Sequence, residues 1–152
     1  DEADAGAIEG AFRGGEVVDN FDEGLDFDEE DAGGIVARVR HSVIDDNIDE
    51  GIKYSEEGNG SVNGDTRGVT DAGDPDDIEY EEADNGSLTG QIRSSAVDDV
   101  KLTEEDNGSL SVSLFGLTID EIEAEQTGRG NGIVRLRRST FEATDLDGVR
   151  LR

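Results

Sequence analysis

One short corner recurs along this chain and constrains its fold more than any other feature of the sequence. Asn-Gly-Ser, followed by Leu or Val, begins at Asn59, Asn85 and Asn107, so the copies lie 26 and 22 residues apart. Recurrence at a period of roughly 20 to 50 residues is typical of solenoids and other repeat architectures. The repeat therefore predicts a chain that winds several times through the same short unit.

Apolar residues alternate with polar residues in the segment that precedes each corner. The first apolar position of the successive copies is occupied by Leu25, Ile52, Ile78, Val100, Ile122 and Val149. The second, two residues later, is occupied by Phe27, Tyr54, Tyr80, Leu102, Ala124 and Leu151. Alternation with a period of two predicts a strand with one buried face. Its recurrence predicts that these strands stack on one another.

The segment after each corner alternates in the same way and forms further columns of like residues. One column contains Ala37, Gly64, Gly90, Val112 and Val134, and the other contains Val39, Thr66, Ile92, Leu114 and Leu136. A third apolar point follows at Ile44, Val97, Ile119 and Phe141. Three short strands per coil favour a solenoid, because rungs stacked about 4.8 Å apart join the columns into one core. The Asn-Gly pair is expected to supply the positive φ of the turn.

Two segments resemble the repeating coil of right-handed parallel β-helix repeat proteins, which share the pectate-lyase-like superfold. They are RRSTFEATDLDGVRL, residues 137–151, and, more loosely, RHSVIDDNIDEGIKY, residues 40–54. The expected fold class is all-β, a right-handed parallel β-helix (solenoid) of about five coils of 22–27 residues. We expect it to span residues 16–152, with an incomplete last coil, after an acidic arm or cap of residues 1–15. The resemblance specifies coil geometry and not chemistry.

Charge excludes two classes of partner. The 152 residues include 40 acidic and 13 basic side chains, which give a net charge of −27. Such a surface repels nucleic acid and anionic membranes, and no apolar run approaches the roughly 18 residues that span a bilayer. Only Lys53 and Lys101 are lysines, and the other basic residues are arginines. An acidic, Lys-poor surface that retains Arg is typical of proteins from salt-loving microbes.

No residue of the sequence is assigned a catalytic role. The chain has no cysteine, which excludes disulfides and thiolate chemistry. Its one histidine, His41, lies beside Ser42 at a coil corner, where a turn residue is the commoner role. Carboxylates are so numerous that no pair stands out as a general acid and base. We expect no enzymatic activity. The alternatives are a carbohydrate-active enzyme (lyase- or hydrolase-like) or carbohydrate-binding fragment, and a polymer-forming protein similar to bactofilins.

Two sets of residues match the pattern of a binding or modification site, although residues of the same types also occur in ordinary turns. Asp45, Asn47 and Asp49 alternate as calcium-loop ligands do, but the Gly comes one place late, at Gly51, and the final Glu is missing. We therefore expect no metal site or cofactor beyond Ca²⁺ or other cations held at the surface. The Asn-Gly-Ser corners also have the N-glycosylation pattern. The candidates for that modification are Asn59, Asn85 and Asn107.

The last four residues are the candidates for end-to-end assembly. They are Val149, Arg150, Leu151 and Arg152. The alternation places them in the first strand of a coil that does not close, which predicts an unpaired strand edge. We expect self-association or contact with further coils of a parent chain, with polysaccharide as the other partner considered. The sequence thus predicts a structural or adhesive module of an extracellular or cell-surface protein from a halophile, one that assembles end to end.

We expect the melting temperature to rise steeply with salt, because 27 uncompensated negative charges repel one another on a small rod. Thermal unfolding followed by circular dichroism in dilute buffer and in molar KCl measures this effect. An unchanged melting temperature would contradict the halophile interpretation and leave the β-helix interpretation intact.

Overall fold

Short parallel strands, wound into successive coils, make up the computed structural model of the chain, which describes residues 6–70 and 78–152. Over these two ranges the chain contains fifteen strands and no helix, and so no helix that could cross a membrane. The strands are β1 Ile8–Arg13, β2 Glu16–Val18, β3 Leu25–Asp31, β4 Ile35–Arg40, β5 Val43–Asp45, β6 Ile52–Gly58, β7 Val62–Arg67, β8 Ile78–Asp84, β9 Leu88–Arg93, β10 Asp99–Glu104, β11 Ser111–Phe115, β12 Thr118–Gln126, β13 Gly132–Arg137, β14 Thr140–Asp147 and β15 Val149–Leu151.

Successive coils contribute their strands to the same sheets, and every pairing between named strands is parallel. The seven-stranded sheet has the order β1-β4-β7-β9-β11-β13-β15, and the six-stranded sheet has the order β14-β12-β10-β8-β6-β3. A narrow third side consists of the β2–β5 pair and of single bridges that link Val43, Thr70, Ala96 and Thr118. The prediction of an all-β parallel solenoid of about five turns is confirmed.

The register confirms the columns that the sequence predicts. Ile52, Ile78, Val100 and Ile122 are successive partners in the six-stranded sheet. In the seven-stranded sheet Thr66 pairs with Ile92, which pairs with Leu114. All of these side chains are buried. Apolar residues of like position therefore form a continuous core between the sheets, as rung stacking requires.

Aromatic rings in one column are matched by glycines in the column opposite. Phe27 stacks on Tyr54 with 5.2 Å between ring centroids, and Tyr54 stacks on Tyr80 at 4.5 Å. Tyr80 fills the space across from Gly64, where a Cβ atom would overlap the ring. The Tyr54 hydroxyl is 3.0 Å from Thr66 Oγ1, so the polar end of the buried ring also has a partner.

The last coil differs from the prediction. Ile122 pairs with Thr144 and Ala124 with Leu146, so residues of β14 continue the two columns of the six-stranded sheet. Val149 and Leu151 instead lie in β15 of the seven-stranded sheet, next to β13. The prediction was wrong because polar Thr144 interrupts an apolar column, while Val-Arg-Leu imitates the alternation that begins a coil.

The first coil also begins earlier than expected. Ile8–Arg13, which the sequence placed in an acidic arm or cap ahead of residue 16, form β1 and pair in register with Ile35–Arg40 of β4. Ile8 and Phe12 pack against the core as half-buried residues. Residues 1–5 lie outside the described part of the chain.

The corners contain a sharp turn, but the residue with positive φ is not the one predicted. Positive φ occurs one residue before the Asn, at Gly58 (141°), Asp84 (80°) and Asp106 (68°), and not at the Asn-Gly pair itself. The expectation that Asn-Gly supplies this dihedral is therefore wrong. The glycine of the pair is instead required by close contacts in the interior of the coil.

Replacing Leu114 by Asp is expected to unfold the domain or to lower its free energy of unfolding by several kcal/mol, because an unpaired charge would be buried between Ile92 and Leu136. Ser113→Asp is the matched control, since the neighbouring side chain faces outward and its change is expected to cost less than about 0.5 kcal/mol. Urea unfolding followed by circular dichroism compares the two. Equal stability of both variants would show that the inward assignment is wrong.

Candidate functional site

A column of four glutamates lies inside the coil, next to the corner. Glu29, Glu56, Glu82 and Glu104 occupy the third inward position of β3, β6, β8 and β10, and each has no exposed surface. Gln126 of β12 continues the column as the partner of Glu104. Like residues in a parallel sheet stand one rung, about 4.8 Å, apart. Four carboxyl groups are thereby stacked in a closed space, an arrangement that proteins rarely adopt without paired charges.

The glutamate column explains the glycine of the repeated corner. A Cβ atom on Gly60 would overlap both Glu56 Oε1 and the carbonyl oxygen of Gly33, one rung below. Gly86 stands in the same relation to Glu82, and Gly108 to Glu104. The recurring glycine is therefore required by the carboxyl group four residues before it and by the close approach of the rung beneath.

Burial raises the pKa values of three of these carboxyl groups, those of Glu56, Glu82 and Glu104. Burial raises the pKa of Glu56 to about 7, and the negative charge of Glu29 adds to the rise. Burial, reinforced by Glu56 and Glu104 on either side, raises the pKa of Glu82 to about 8. The pKa of Glu104 rises to about 7, first through burial and then through the charge of Asp106. The carboxyl oxygens of these three residues lack well-formed hydrogen bonds among the described residues. The column therefore holds protons near neutral pH.

Gln126 shows which contacts a neutral side chain makes at this position. Its Oε1 accepts a hydrogen bond from the Leu110 N–H at 3.0 Å, and its Nε2 donates to the Thr127 carbonyl oxygen at 2.9 Å. A neutral group with both a donor and an acceptor thus fits the corner, and a protonated carboxyl group has the same two capacities.

An arginine row runs along the outer face of the seven-stranded sheet. The row consists of the last residue of successive strands and contains, in register, Arg13, Arg40, Arg67, Arg93, Phe115 and Arg137. Arg93, Phe115 and Arg137 also line a shallow groove with Arg135. The guanidinium of Arg138 lies 5.5 Å from the centre of the Phe115 ring, which places a further cation beside the row.

One carboxylate is already held within this row. Asp65 forms ion pairs with Arg40 on one side and with Arg93, at 2.8 Å, on the other. Burial alone would raise the pKa of Asp65, but hydrogen bonds from Arg93 and Arg40 hold it below its usual value. Neighbouring arginines of the row can thus clamp an acidic group between them.

The glycosylation candidates form a ladder of their own. Asn59, Asn85 and Asn107 stand on successive rungs at the exposed corner. Asn85 Nδ2 donates to Asn59 Oδ1 at 3.4 Å, and Asn107 Nδ2 donates to Asn85 Oδ1 at 3.3 Å. The side chains are therefore accessible, and they also bind each other along the solenoid. Their modification stays a prediction.

The structure buries the middle residue of the weak metal candidate and exposes the last. Asn47 is buried, and its Oδ1 accepts a hydrogen bond from Asn20 Nδ2 at 2.8 Å. Asp45 ends β5 and Asp49 is exposed. Within residues 6–70 and 78–152 no group of three or more His, Cys, Asp and Glu residues is placed to hold a metal ion. His41 lies at a corner with a φ of 53°, next to the Ser42 hydroxyl, which donates to the Arg40 carbonyl oxygen.

The assembly candidates lie on the last strand of the seven-stranded sheet. Val149 and Leu151 are half-buried, and Arg150 and Arg152 are exposed. The Arg152 N–H donates to the Val134 carbonyl oxygen, and its own carbonyl accepts from the Leu136 N–H. Successive residues of a parallel strand direct their backbone N–H and C=O groups to opposite sides of the strand. The N–H and C=O of Leu151 therefore point away from β13, toward the open edge.

Sequence reasoning missed both the glutamate column and the arginine row as sites, although each leaves a signal. A Glu or Gln stands four residues before the corner glycine in five coils, at Glu29, Glu56, Glu82, Glu104 and Gln126. An Arg ends the second strand of most coils. Comparison of the chain with protein-family models, curated protein sequences and solved structures found no significant match.

Raising the pH is expected to destabilise the protein through the glutamate column. The folded pKa values of about 7 to 8 exceed the ordinary value of 4.5, so the native state binds more protons than the unfolded state across this window. The column's contribution is fully present below about pH 4.5 and is lost as the pH rises through about 8. Each glutamate that titrates lowers the free energy of unfolding by up to about 1.4 kcal/mol per pH unit.

The substitution Glu82→Gln is expected to flatten this dependence, because a neutral amide replaces the most strongly shifted carboxyl group. Glu57→Gln, the same substitution at the exposed neighbour of Glu56, is the control and should keep the wild-type slope. Denaturant unfolding across the pH window measures both. Parallel pH profiles for wild type and Glu82→Gln would show that the column does not bind protons in the native state.

Proposed function

We propose that this solenoid is a non-enzymatic structural or adhesive module of an extracellular, cell-surface protein, and that it assembles end to end in a salt-rich environment. The observation that carries the proposal is that β15 leaves one side unpaired among the described residues, a side that a second copy or further coils of a parent chain can cover. The composition supports the salt-rich setting. The resemblance to parallel β-helix repeat proteins, which are common on microbial cell surfaces, supports the location.

The end of the solenoid at β14 and β15 combines unpaired backbone groups with exposed apolar surface. The Leu151 N–H and C=O point outward, and Phe141 of β14 is 40% exposed. Leu146, Val149 and Leu151 are covered by the core on one side only. A strand edge of this kind is a template for pairing with another strand.

The opposite end of the solenoid is complementary in topology. β1 is the edge of the seven-stranded sheet and β3 the edge of the six-stranded sheet, and both carry half-buried apolar residues that contact the core. A second copy can therefore continue the seven-stranded sheet, with β15 beside β1, and this leaves one open rung of the six-stranded sheet between β14 and β3. Such a contact is heterologous, and its repetition gives a filament and not a closed ring.

Extending the register across this junction shows where salt acts. The seven-stranded sheet would place Arg150 opposite Glu9, an attractive pair, whereas the six-stranded sheet would leave Asp145 two rungs from Asp26 and Asp147 two rungs from Asp28. Carboxylates at this distance of about 10 Å repel each other in dilute buffer, where the Debye length is about 30 Å. Screening weakens that repulsion, while salt strengthens apolar stacking. The junction therefore favours assembly in concentrated salt.

The experiment compares Leu151→Pro with Leu151→Ala by light scattering and electron microscopy in dilute and in molar KCl. Both variants lose the apolar side chain, but only Pro removes the N–H at the open edge. We expect wild type to form longer assemblies as salt rises, Leu151→Ala to assemble more weakly, and Leu151→Pro to assemble least. Wild type that stays monomeric under all conditions, or Leu151→Pro that assembles as wild type does, would overturn the proposal.

A further inference from the structure

The two main sheets carry opposite charge. The strands of the seven-stranded sheet contain eight arginines and two acidic residues. The strands of the six-stranded sheet contain twenty acidic residues and two lysines, and four of those acidic residues belong to the buried glutamate column. A rod with a net charge of −27 thus has one strongly basic face.

Asp65 shows what the basic face is able to bind. Its carboxylate sits among the arginines and is held by Arg40 and Arg93 from the rungs on either side. Arg67, on the same rung as Asp65, and Arg137 are exposed. A partner that presents carboxylates at two-rung spacing would repeat the contact that Asp65 makes with arginines of the rungs on either side.

We propose that the arginine row is a docking surface for the outer face of the six-stranded sheet of a second copy of this chain. That face presents carboxylates on alternate strands of one column, at Asp28, Glu81 and Glu125. Both faces belong to the same coils, so these carboxylates recur every two rungs, about 9.6 Å, in step with every second position of the arginine row. Charge and spacing match at these rungs, so several pairs form together.

The size of the face is sufficient for a specific but weak contact. Seven strands of up to six residues cover roughly 600 Å² per copy at ordinary strand spacing and rise, or about 1,200 Å² in total, which is near the lower limit for specific interfaces. Electrostatic complementarity of this kind sets orientation more than affinity. We therefore expect association at high local concentration, as in a layer at a surface.

Salt is expected to affect this contact in two opposite ways. The net charge of −27 repels copies over long distances at low ionic strength. At about 0.1 M salt the Debye length falls to about 10 Å, which removes most of that repulsion, and at about 1 M it falls to about 3 Å. A Debye length of about 3 Å also screens the attraction between the arginines and the carboxylates. Lateral contact should thus be greatest at intermediate salt, whereas end-to-end assembly should keep increasing with salt. The inference goes beyond the proposed function, because it joins rods side by side.

The chain has no cysteine, so single introduced cysteines can report which faces meet. Gln91→Cys marks the basic face, and Ser55→Cys marks the acidic face. Ala96→Cys, an exposed position on the narrow third side, is the control. All three are made in the Leu151→Pro background to suppress end-to-end contacts, and circular dichroism verifies that each folds. Mild oxidation of Gln91→Cys with Ser55→Cys should give several times more mixed disulfide dimer than oxidation of Gln91→Cys with Ala96→Cys.

Charge reversal tests whether the arginines are responsible. Adding Arg67→Glu to the Gln91→Cys chain should lower the mixed-dimer yield roughly tenfold, because an attraction becomes a repulsion. Arg129→Glu, the same charge change at an exposed corner residue, should leave the yield unchanged. Both measurements are repeated in dilute, intermediate and molar KCl.

Three outcomes would overturn the proposal. The first is equal yield with Ser55→Cys and with Ala96→Cys, and the second is an equal effect of Arg67→Glu and Arg129→Glu. The third is a monomer whose basic face retains polygalacturonate, with retention lost in Arg67→Glu, since the arginine row would then serve a soluble polyanion and not a second copy.

Discussion

Parallel stacking in register is the constraint on which the rest of this structure depends. Each residue of a coil lies directly above and below its equivalents, so every position must tolerate neighbours of its own kind. Apolar residues meet this demand through burial, the Tyr54 and Tyr80 rings through stacking, and Asn85 through hydrogen bonds to its equivalents. Glutamates meet it only by holding protons, because stacked carboxylates repel one another. The chemistry of each column follows from this single rule.

The sequence was sufficient to predict the columns that are apolar, because alternation with a period of two marks an inward face directly. Ile92, Leu114 and their partners could be placed in this way. It was insufficient where a polar residue occupies an inward position. Thr144 concealed the true course of the last coil, and Glu56 and Glu82 resembled the other carboxylates of an acidic chain. Hydropathy alone does not distinguish a buried glutamate from an exposed one, and only its fixed distance to the corner glycine does so.

The arrangement of charge explains how a rod of this kind can act without a deep binding cleft. Side chains of each type are repeated along flat faces, so recognition is distributed over many equivalent rungs. The basic face, the acidic face and the open edge differ in direction as well as in chemistry. A contact through one of them leaves the others accessible, so the proposed lateral and end-to-end contacts are compatible with each other.

Gln126 at the end of the glutamate column bears on how such a chain can lengthen by duplication of a coil. Copying the segment from Ile78 to Asp99 would insert one more buried carboxyl group between two others. Each insertion would extend the run of acids that must share protons, so successive duplications become less favourable. A neutral amide avoids this repulsion, since it adds a rung without adding a charge. The acidic run therefore sets a limit on growth by simple copying, and a change from Glu to Gln removes it.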